Sequence, residues 1–576
     1  MTVRYLAAGE RGLVVEFGNS ISLDLNAAVR ALAHALAPDR VLGVVEVVPT
    51  YRSLGVEYDP LRLDFDTLTG KIAEILTRLD TASLPPARLV ELPTVYGGEY
   101  GPDLPDVIRH TGLTEAEVIR LHSETEYPVY MIGFTAGFGY LGGLPDKLHT
   151  PRLTSPRVRV PKGSVGIGGS QTGAYAAETP GGWRLIGKTP VTLFDPLQDP
   201  PTPMLAGDRV RFVPISEEEY KRLESREPRV EHRGPGAAEA EPDSRLSTLD
   251  SSVGIEVERA GLLTTVQDLG RVGYQQFGVP ASGAVDPTSL RVGTILVGNP
   301  QEAAGLEFSA YGPCLRFRSD AVVALTGGRF AATLDGRPAP WYQSFLVRRG
   351  QLLDLQAATL GFRGYLAVGG GIATPVLLKS RSTCISAKFG GLGGRRLEDG
   401  DLLPLGSAHA APSLGGEAPA RWRPERQEPA TVRVVLGPQD DAFTDEGRQT
   451  FLSAVYRVTT DVDRMGCRLD GPPITHRKGA DIISDWIPMG GIQVPGSGKP
   501  IVLLSDRQTT GGYTKIATVI GPDIGVLAQC RPGDGVRFEA VSVAEAQHAA
   551  REVEAALSRL PVELYRSMLE EGYCGC

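Results

Sequence analysis

The chain has 576 residues, a length that predicts roughly three to four domains. Its formal net charge of −9 argues against nucleic acid or an anionic membrane surface as the main partner. No apolar run approaches the roughly 20 residues that span a bilayer, so no membrane segment is expected.

Charge placement and cysteine usage indicate the compartment. Glu10 and Arg11 come too early for a signal peptide, and six cysteines in so long a chain do not make a disulfide framework. We therefore expect a cytoplasmic protein. The 70 glycines and 44 prolines predict many turns between short strands, hence a mainly β fold with some α+β structure.

Residues 1–85 alternate strand-like apolar runs with two segments, 25–36 and 66–79, that carry apolar residues at helical spacing. This order predicts a small α+β domain with helices packed on one face of a sheet. We find no candidate for chemistry in it.

Residues 86–215 are rich in glycine, turns and strand-like runs, and we predict a β-barrel module here. Thr114 and Glu117 form a capping-box pattern that predicts the start of a helix. A basic run further on includes Arg157, on a predicted strand, and Lys162. Arginine is well shaped for phosphate or carboxylate, but a solvated strand face explains the run equally well.

Residues 182–189 fit the phosphate-loop expression G-x-x-x-x-G-K-[ST], and we reject this match. A phosphate-cradling loop is a flexible turn whose Lys-Thr pair opens a helix. Here residues 183–186 are typical of a strand, and the residues after Thr189 predict another strand.

Composition divides the rest of the chain. Residues 216–252 are typical of a linker, opened by a short charged helix at about 217–229. The second half then holds one barrel module at 253–430, a second at 431–540, and a C-terminal helix and tail at 541–576. With the first half this gives about three barrel modules.

The stretch with the most chemistry is residues 493–538. Two apolar runs, 501–504 and 516–520, are short enough to be buried strands. The connection between them combines a carboxylate, a guanidinium, an amide and a hydroxyl group, from Asp506, Arg507, Gln508 and Thr509. It ends in two glycines, which allow close approach of the backbone to a ligand. We interpret it as the candidate active site, the alternative being a polar loop that faces solvent.

An internal repeat indicates duplicated barrel modules. The order Val-Pro, Gln-Thr, glycine followed by tyrosine, and Gly-Asp-x-Val-Arg-Phe occurs at 160–212 and again at 494–538. The spacings differ, as expected when loops change length between fixed strands. A third echo, Gly400 with Asp401, closes another β-rich segment.

These motifs also carry a family resemblance. In the first half, GFTAGFGYLGGLP, QTGAY and PGGWRLIGKTP resemble the B subunit of 5-oxoprolinase, also described as KipI-like or allophanate hydrolase subunit 1. In the second half, TTVQDLGR, GVPASGAVD, SRST, DRMGCRL and DRQTTGGYTKIATVIGPD are similar to the C subunit of that enzyme, the KipA-like or allophanate hydrolase subunit 2 family. The resemblance implies cyclophilin-like β-barrels, in agreement with the repeat.

The resemblance implies an ATP-dependent opening of the 5-oxo-L-proline lactam to L-glutamate, with Mg²⁺ and a separate 5-oxoprolinase A subunit. Because a lactam carbonyl is a poor electrophile, phosphorylation of its oxygen is needed to create a leaving group that water displaces. Such a site needs cations that neutralise phosphate charge and position the transfer. The candidate cations are Arg464, Arg468, Arg507 and Lys515 in the second half, and Arg157 and Lys162 in the first.

The remaining candidates are polar groups. Asp506 is expected to orient Arg507 or to bind Mg²⁺, and Gln493 and Gln508 to hydrogen-bond the lactam. The other candidate substrate-binding residues are Thr509, Gln171, Tyr140 and His122. For His122 a satisfied core histidine is the better interpretation. No His or Cys spacing predicts a protein-held metal, and Cys574 and Cys576 are expected to be reduced surface thiols.

Two rival functions stay open. The same modules form the carboxyltransferase region of biotin-dependent urea carboxylase, and this would make urea or another small amide the substrate. No methionine of the chain adjoins a lysine, so a biotin carrier would be another chain. KipI-like members have been described as histidine-kinase inhibitors, so a regulatory binding protein is the second rival. Fusion of both halves favours a catalytic unit, because tethering raises effective concentration. Assembly, including a homo-oligomer, stays open.

Overall fold

The structure is a computed structural model that describes residues 3–82, 84–226, 254–407, 415–425 and 427–570. It is mainly β. In these ranges a small α+β unit is followed by a closed barrel, a nine-stranded sheet and a second closed barrel. This is the predicted fold class.

The first unit is an antiparallel sheet of order β1-β2-β4-β3 with two helices. Its elements are β1 (Arg4–Ala7), β2 (Gly12–Glu16), α1 (Leu23–Ala35), β3 (Val44–Pro49), β4 (Ser53–Tyr58) and α2 (Phe65–Thr77). Leu32 of α1 shares one apolar core with Val15 and Val56 of the sheet. The helical spacing predicted from sequence is confirmed in both helices, since one stripe of each faces that core.

The first barrel closes in the order β10-β7-β6-β13-β5-β12-β9, and β8 pairs with β11 as a separate ribbon. Its elements are β5 (Leu89–Tyr96), α3 (Leu104–Thr111), α4 (Glu115–Ser123), β6 (Tyr127–Ile132), β7 (Gly139–Leu141), β8 (Arg157–Val160), β9 (Ser164–Gly168), β10 (Gln171–Ala174), β11 (Thr179–Gly181), β12 (Arg184–Lys188), β13 (Arg209–Pro214) and then α5 (Glu217–Arg226). The capping box of Thr114 and Glu117 is confirmed at the start of α4.

Most of the rejected phosphate-loop match lies on strand β12, as predicted, so its Gly187 and Lys188 belong to a sheet. The prediction of a further strand after Thr189 was wrong. Residues 190–194, all described, form none, and the Thr189 hydroxyl oxygen accepts a hydrogen bond from the Val191 amide at 3.3 Å. Such a local side-chain turn competes with strand pairing.

The middle module is a nine-stranded antiparallel sheet rather than a closed barrel. Its long strands β18 and β21 pair along most of their length, with register shifts that bend them. The elements are β14 (Ile255–Arg259), β15 (Leu263–Gln267), α6 (Pro287–Leu296), β16 (Gly305–Ser309), β17 (Cys314–Phe317), β18 (Ala321–Leu334), β19 (Arg337–Pro338), β20 (Ser344–Val347), β21 (Leu352–Val368) and β22 (Leu402–Leu403).

The last barrel closes in the order β23-β30-β27-β28-β25-β24-β31, and β26 pairs with β29 outside it. Its elements are β23 (Ala430–Leu436), α7 (Asp445–Ser453), β24 (Tyr456–Val462), β25 (Gly466–Asp470), β26 (Asp481–Trp486), β27 (Gly491–Gln493), β28 (Ile501–Leu503), β29 (Thr510–Tyr513), β30 (Lys515–Val519), α8 (Gly521–Ala528), β31 (Gly535–Ala540) and α9 (Val543–Glu570). Both strands predicted around the candidate site are confirmed as β28 and β30.

The two closed barrels have the same strand order, because each strand from β5 to β13 has a counterpart from β23 to β31. In both, the closing strand is the Gly-Asp-x-Val-Arg-Phe motif and runs parallel to the first strand. The Gln-Thr motifs are not equivalent. Gln171 opens β10, which corresponds to β28, whereas Gln508 lies after β28. The shared strand order supports the duplication, but the two Gln-Thr dipeptides occupy positions that do not correspond in the two barrels.

Helix α9 contacts the first unit and the middle module. The Gln547 amide donates to the Glu10 carbonyl oxygen and to the Tyr58 hydroxyl, both at 3.1 Å. Arg291 of α6 pairs with Glu554 of α9. Of the helices in the described ranges, none is both long and apolar enough to cross a membrane.

Candidate active site

The loop between β28 and β29, residues 504–509, is polar but buried. Asp506, Arg507 and Thr509 are 3%, 4% and 1% exposed, whereas Gln508 is partly exposed. The three buried side chains do not face solvent, so the alternative of a solvent-facing polar loop does not describe them. Buried polar groups need partners, and the partners come from several units of the chain.

Asp506 belongs to a buried ionic cluster with Arg464 and Glu307. The Arg464 guanidinium donates to both carboxylate oxygens of Asp506, at 3.1 and 3.2 Å, and also pairs with Glu307 of the middle sheet. Burial opposes the Arg464 charge, but the two carboxylates outweigh it and raise the pKa of the guanidinium. We expected Asp506 to orient Arg507, but the Asp506 carboxylate accepts hydrogen bonds from Arg464 instead.

Arg507 has partners different from those of Asp506. Its Nε donates to the Ile487 carbonyl oxygen at 2.9 Å, Nη2 to the Gln275 amide oxygen at 3.1 Å, and Nη1 approaches the Met489 sulfur at 3.8 Å. Burial lowers the pKa of this guanidinium, because its charge is removed from water. In the described part of the chain no carboxylate hydrogen-bonds to Arg507.

Gln275 connects Arg507 to the first unit. Its backbone amide and its side-chain Nε2 donate to the Glu46 carboxylate, at 2.5 and 2.8 Å, and Nε2 also donates to Glu57 at 3.1 Å. Its amide oxygen accepts from Trp486 Nε1 at 3.3 Å as well as from Arg507. Burial, and then the charge of Glu57, raise the pKa of Glu46 to about 7.

Lys515 on β30 is fully buried at a second contact between the halves. Its Nζ lies 3.7 Å from the Asp485 carboxylate and has no hydrogen-bond partner among the described residues. Asp485 also accepts from the Ser53 hydroxyl at 2.6 Å and from the Gln439 amide at 3.1 Å. Burial lowers the pKa of the Lys515 amine, and Asp485 partly opposes this shift.

The first barrel supplies a third contact. The Phe134 amide donates to the Thr510 hydroxyl oxygen at 3.1 Å. A Cβ on Gly133 would lie 2.1 Å from that oxygen, so only glycine fits there. Burial raises the pKa of the Tyr140 hydroxyl, and the Thr510 and Ser484 side chains partly oppose this shift.

Gln171 lies in the same region as Tyr140. Its side-chain amide donates to the Tyr51 hydroxyl at 2.8 Å, and the Tyr51 ring lies 5.8 Å from the Tyr140 ring. Gln493, at the end of β27, also borders the site, since a Cβ on Gly511 would come within 2.9 Å of its Nε2. The structure therefore places Gln493 beside the strand that follows the 504–509 loop, and it places Gln171 near Tyr140 through Tyr51.

Three predicted cations lie elsewhere. Arg157 pairs with Asp103 at 2.7 Å, Lys162 donates to the Thr192 hydroxyl at 3.3 Å, and Arg468 is exposed on β25. Within the described ranges none of the three has a hydrogen bond or ion pair with the 504–509 loop. Their role stays a prediction, and the structure does not join them to this site.

His122 has the environment of a core residue. It is fully buried, with Nδ1 2.8 Å from the Tyr96 hydroxyl and Nε2 2.8 Å from the Thr172 hydroxyl. Burial lowers the pKa of its imidazole to about 3, so the ring is neutral at physiological pH.

Arg271 was missed by the sequence analysis. Its guanidinium is buried, stacks over the Phe389 ring at 4.6 Å and donates to the Ser382 carbonyl oxygen at 2.5 Å. Its Nε and Nη1 have no hydrogen-bond partner among the described residues. Asp268 orders the same region by accepting from the Ser380 hydroxyl at 2.7 Å. The only sequence signal was the presence of these residues in TTVQDLGR and SRST.

Two surface cavities, of about 490 and 370 Å³, lie away from the loop. The larger is lined by α9 residues and Arg433, and the smaller by Arg381 and the glycines 370 and 371. Among the described residues no group of three His, Cys, Asp or Glu side chains could hold a metal. The donor set of the 504–509 loop does not fit ATP with Mg²⁺, because both carboxylate oxygens of Asp506 already accept from Arg464 and the cations Arg507 and Lys515 are buried.

The cysteines in the described ranges, Cys314, Cys384, Cys467 and Cys530, are free and buried. Cys574 and Cys576 lie outside the described residues.

Comparison with known families matches both halves. Residues 3–204 match the carboxyltransferase domain, subdomain C and D, and residues 277–540 match the carboxyltransferase domain, subdomain A and B.

Named relatives match each half separately and nearly completely. Over 232 residues the chain is 42% identical to the B subunit of 5-oxoprolinase from Bacillus subtilis, covering 38% of this chain and 97% of that protein. Over 296 residues it is 38% identical to the C subunit of 5-oxoprolinase from Haemophilus influenzae, covering 51% of this chain and 94% of that protein. A urea amidolyase of Lachancea kluyveri is 34% identical over 326 residues, 53% of this chain but only 18% of that protein.

One solved structure matches the whole arrangement. The crystal structure of the protein TTHA0988 has a TM-score of 0.77 at 36% identity, over 92% of this chain and 99% of that one. The Kluyveromyces lactis urea carboxylase, at 24% identity and a TM-score of 0.52 over 72% of this chain and 37% of its own, shares the fold.

Proposed function

The chain belongs to the family of the 5-oxoprolinase B and C subunits, and we propose that it serves as both of them in an ATP-dependent 5-oxoprolinase. The reaction is the opening of the 5-oxo-L-proline lactam to L-glutamate, performed with a separate A subunit. One observation carries this proposal: this single chain matches relatives that bear both names, over 97% and 94% of their lengths.

The proposed site is the 504–509 loop and its surroundings. Among its polar side chains Gln508 is partly exposed, so its amide is the group best placed to hydrogen-bond a lactam. The buried cations Arg507 and Lys515 do not contact the substrate and instead raise the electrostatic potential at the Gln508 amide. We assign no nucleotide contact to the loop, and the ATP requirement belongs to the assembled enzyme. We place that enzyme in the cytoplasm, where ATP is supplied.

A second candidate function is carboxyl transfer to urea or a related amide. The urea amidolyase relative favours it, but it aligns over only 18% of its own length, against 97% and 94% for the oxoprolinase subunits. These 576 residues also lack a lysine next to methionine, so the biotinylated lysine would lie outside them.

Phosphate release from ATP, together with glutamate formation, tests the proposal. We expect turnover when the purified full chain, a candidate A subunit, ATP, Mg²⁺ and 5-oxoproline are all present, and none when any one is omitted. Turnover of urea with a carboxybiotin donor and none with 5-oxoproline would overturn the proposal in favour of the second candidate.

A further inference from the structure

We propose that Gln275 is a positioning residue, which couples the carboxylates Glu46 and Glu57 of the first unit to Arg507 of the candidate site. The N-terminal sheet, which shows no chemistry of its own, would then complete the site. The inference rests on the proposed function, since it concerns the same loop.

The contacts of Gln275 have a clear polarity. Its amide oxygen faces two donors, Arg507 Nη2 at 3.1 Å and Trp486 Nε1 at 3.3 Å. Its Nε2 faces two acceptors, Glu46 at 2.8 Å and Glu57 at 3.1 Å. A rotated amide would set donor against donor and acceptor against acceptor in all four contacts, so the network itself fixes the orientation.

The charge of Arg507 requires this arrangement. A buried guanidinium is costly unless an opposite charge compensates it. The nearby Asp506 directs both oxygens to Arg464, and burial alone disfavours the charge of Arg507. Glu57, then Glu46 and Asp506, oppose that effect, and Gln275 is the group that hydrogen-bonds both to the two glutamates and to the guanidinium. The negative charge for Arg507 therefore comes mainly from the other half of the chain.

The backbone holds Gln275 in place for this role. Its amide N–H donates to Glu46 at 2.5 Å, and the following turn is closed by a hydrogen bond from the Gly278 amide to its carbonyl oxygen at 2.9 Å. Both its main chain and its side chain are therefore fixed by the first unit. A movement of that unit would change the position of Arg507.

Gln547 offers a matched control. It too is a buried glutamine that ties the second half to the first unit through its side-chain amide, with hydrogen bonds to Glu10 and Tyr58. It has no hydrogen bond to the 504–509 loop within the described residues. If Gln275 only stabilised the contact between the halves, its replacement would have the same effect on the 504–509 loop as replacement of Gln547.

The test compares Gln275→Met with Gln547→Met in the full chain by hydrogen–deuterium exchange of peptides covering residues 504–513. We expect exchange there to become about tenfold faster in Gln275→Met and to stay unchanged in Gln547→Met. With 5-oxoproline and the A subunit present, we expect kcat to fall about tenfold or more in Gln275→Met alone, with KM changing less. Equal exchange of these peptides in both variants would overturn the inference.

A milder variant covers the case in which Gln275→Met does not fold. Glu57→Gln keeps the shape of a half-buried side chain and removes its charge, and we expect roughly threefold faster exchange in the same peptides. Wild-type exchange at residues 504–513 in Glu57→Gln would then overturn the inference. Exchange is measured without turnover, so a wild-type chain inactive on 5-oxoproline would refute the proposed function and leave this test intact.

Discussion

Arg464 and Asp506, 42 residues apart in the sequence, meet in a two-point ion pair in which Nε and Nη2 lie 3.1 and 3.2 Å from the two carboxylate oxygens. Glu307 of the middle sheet pairs with the same guanidinium. One cation thus compensates two buried carboxylates from two units. The ends of β25 and β28 and the middle sheet are thereby fixed to one another.

Removal of this cation should be strongly destabilising. Arg464→Met removes the cation that pairs with two buried carboxylates, and we expect a loss of about 3–5 kcal/mol in the free energy of unfolding. The denaturation midpoint measures it. The control is Arg468→Met, four residues further on and exposed, for which we expect a change within about 0.5 kcal/mol. Equal losses in both variants would show that the cluster contributes nothing of its own.

The Glu46 carboxyl should make stability depend on pH. Its pKa is about 7 in the folded chain against an ordinary value of 4.5, so the folded state holds this proton more tightly. Its contribution is full below about pH 4.5 and is lost as the pH rises through about 7, by roughly 3 kcal/mol. The free energy of unfolding of Glu46→Gln, measured relative to wild type, should therefore increase by about that amount between about pH 5 and pH 8.

The comparison must be made as a difference between the two proteins. The lowered pKa of His122 gives the opposite pH dependence in the same range, since that contribution is lost as the pH falls below about 6.5. It is present in both proteins and cancels. A wild-type-minus-variant difference that is flat across this range would contradict the assignment to Glu46.

Arg507 should be irreplaceable even by lysine. Lysine keeps the charge but cannot donate in one plane to both the Ile487 carbonyl oxygen and the Gln275 amide oxygen. We expect Arg507→Lys to lower kcat/KM for 5-oxoproline, with the A subunit present, by about 100-fold. Arg457→Lys, at an exposed arginine of β24, is the matched control and should stay within about twofold of wild type. Wild-type kinetics in Arg507→Lys would remove Arg507 from the site.

Gly133 should not tolerate a side chain. A Cβ there would lie 2.1 Å from the Thr510 hydroxyl oxygen and 2.9 Å from its methyl carbon, so Gly133→Ala must separate the first barrel from β29. We expect a loss of about 1–3 kcal/mol in the free energy of unfolding. Gly70→Ala in α2, where a Cβ meets nothing within 4 Å, should instead gain up to about 1 kcal/mol. Thermal unfolding of both variants distinguishes a steric effect from a general effect of alanine.

Local patterns predicted local structure well. The helices α1 and α2, the capping box at Thr114 and strands β28 and β30 all follow from residue spacing within a few residues of their positions. The closing strands of both barrels were also visible, since Gly-Asp-x-Val-Arg-Phe combines a turn with an alternating apolar strand. Such signals require only neighbouring residues.

The candidate site was predicted in part. Arg507, Asp506 and Lys515 were named for their chemistry, but their burial and their partners depend on contacts across hundreds of residues. The Glu46–Gln275 hydrogen bonds join residues 229 positions apart, and no sequence period reports such a pair. One signal was overlooked: Glu46 interrupts the apolar run of β3, and a carboxylate in a buried strand needs a partner.

The position of Glu46 also determines when its hydrogen bonds to Gln275 can form during synthesis of the chain. Its partner Gln275 is made only after the first unit and the first barrel, and Gln547, which binds Glu10 and Tyr58, is made later still. Until then these polar groups can be satisfied by water. The nascent first half therefore keeps a hydrated face, and this face closes only when the second half arrives.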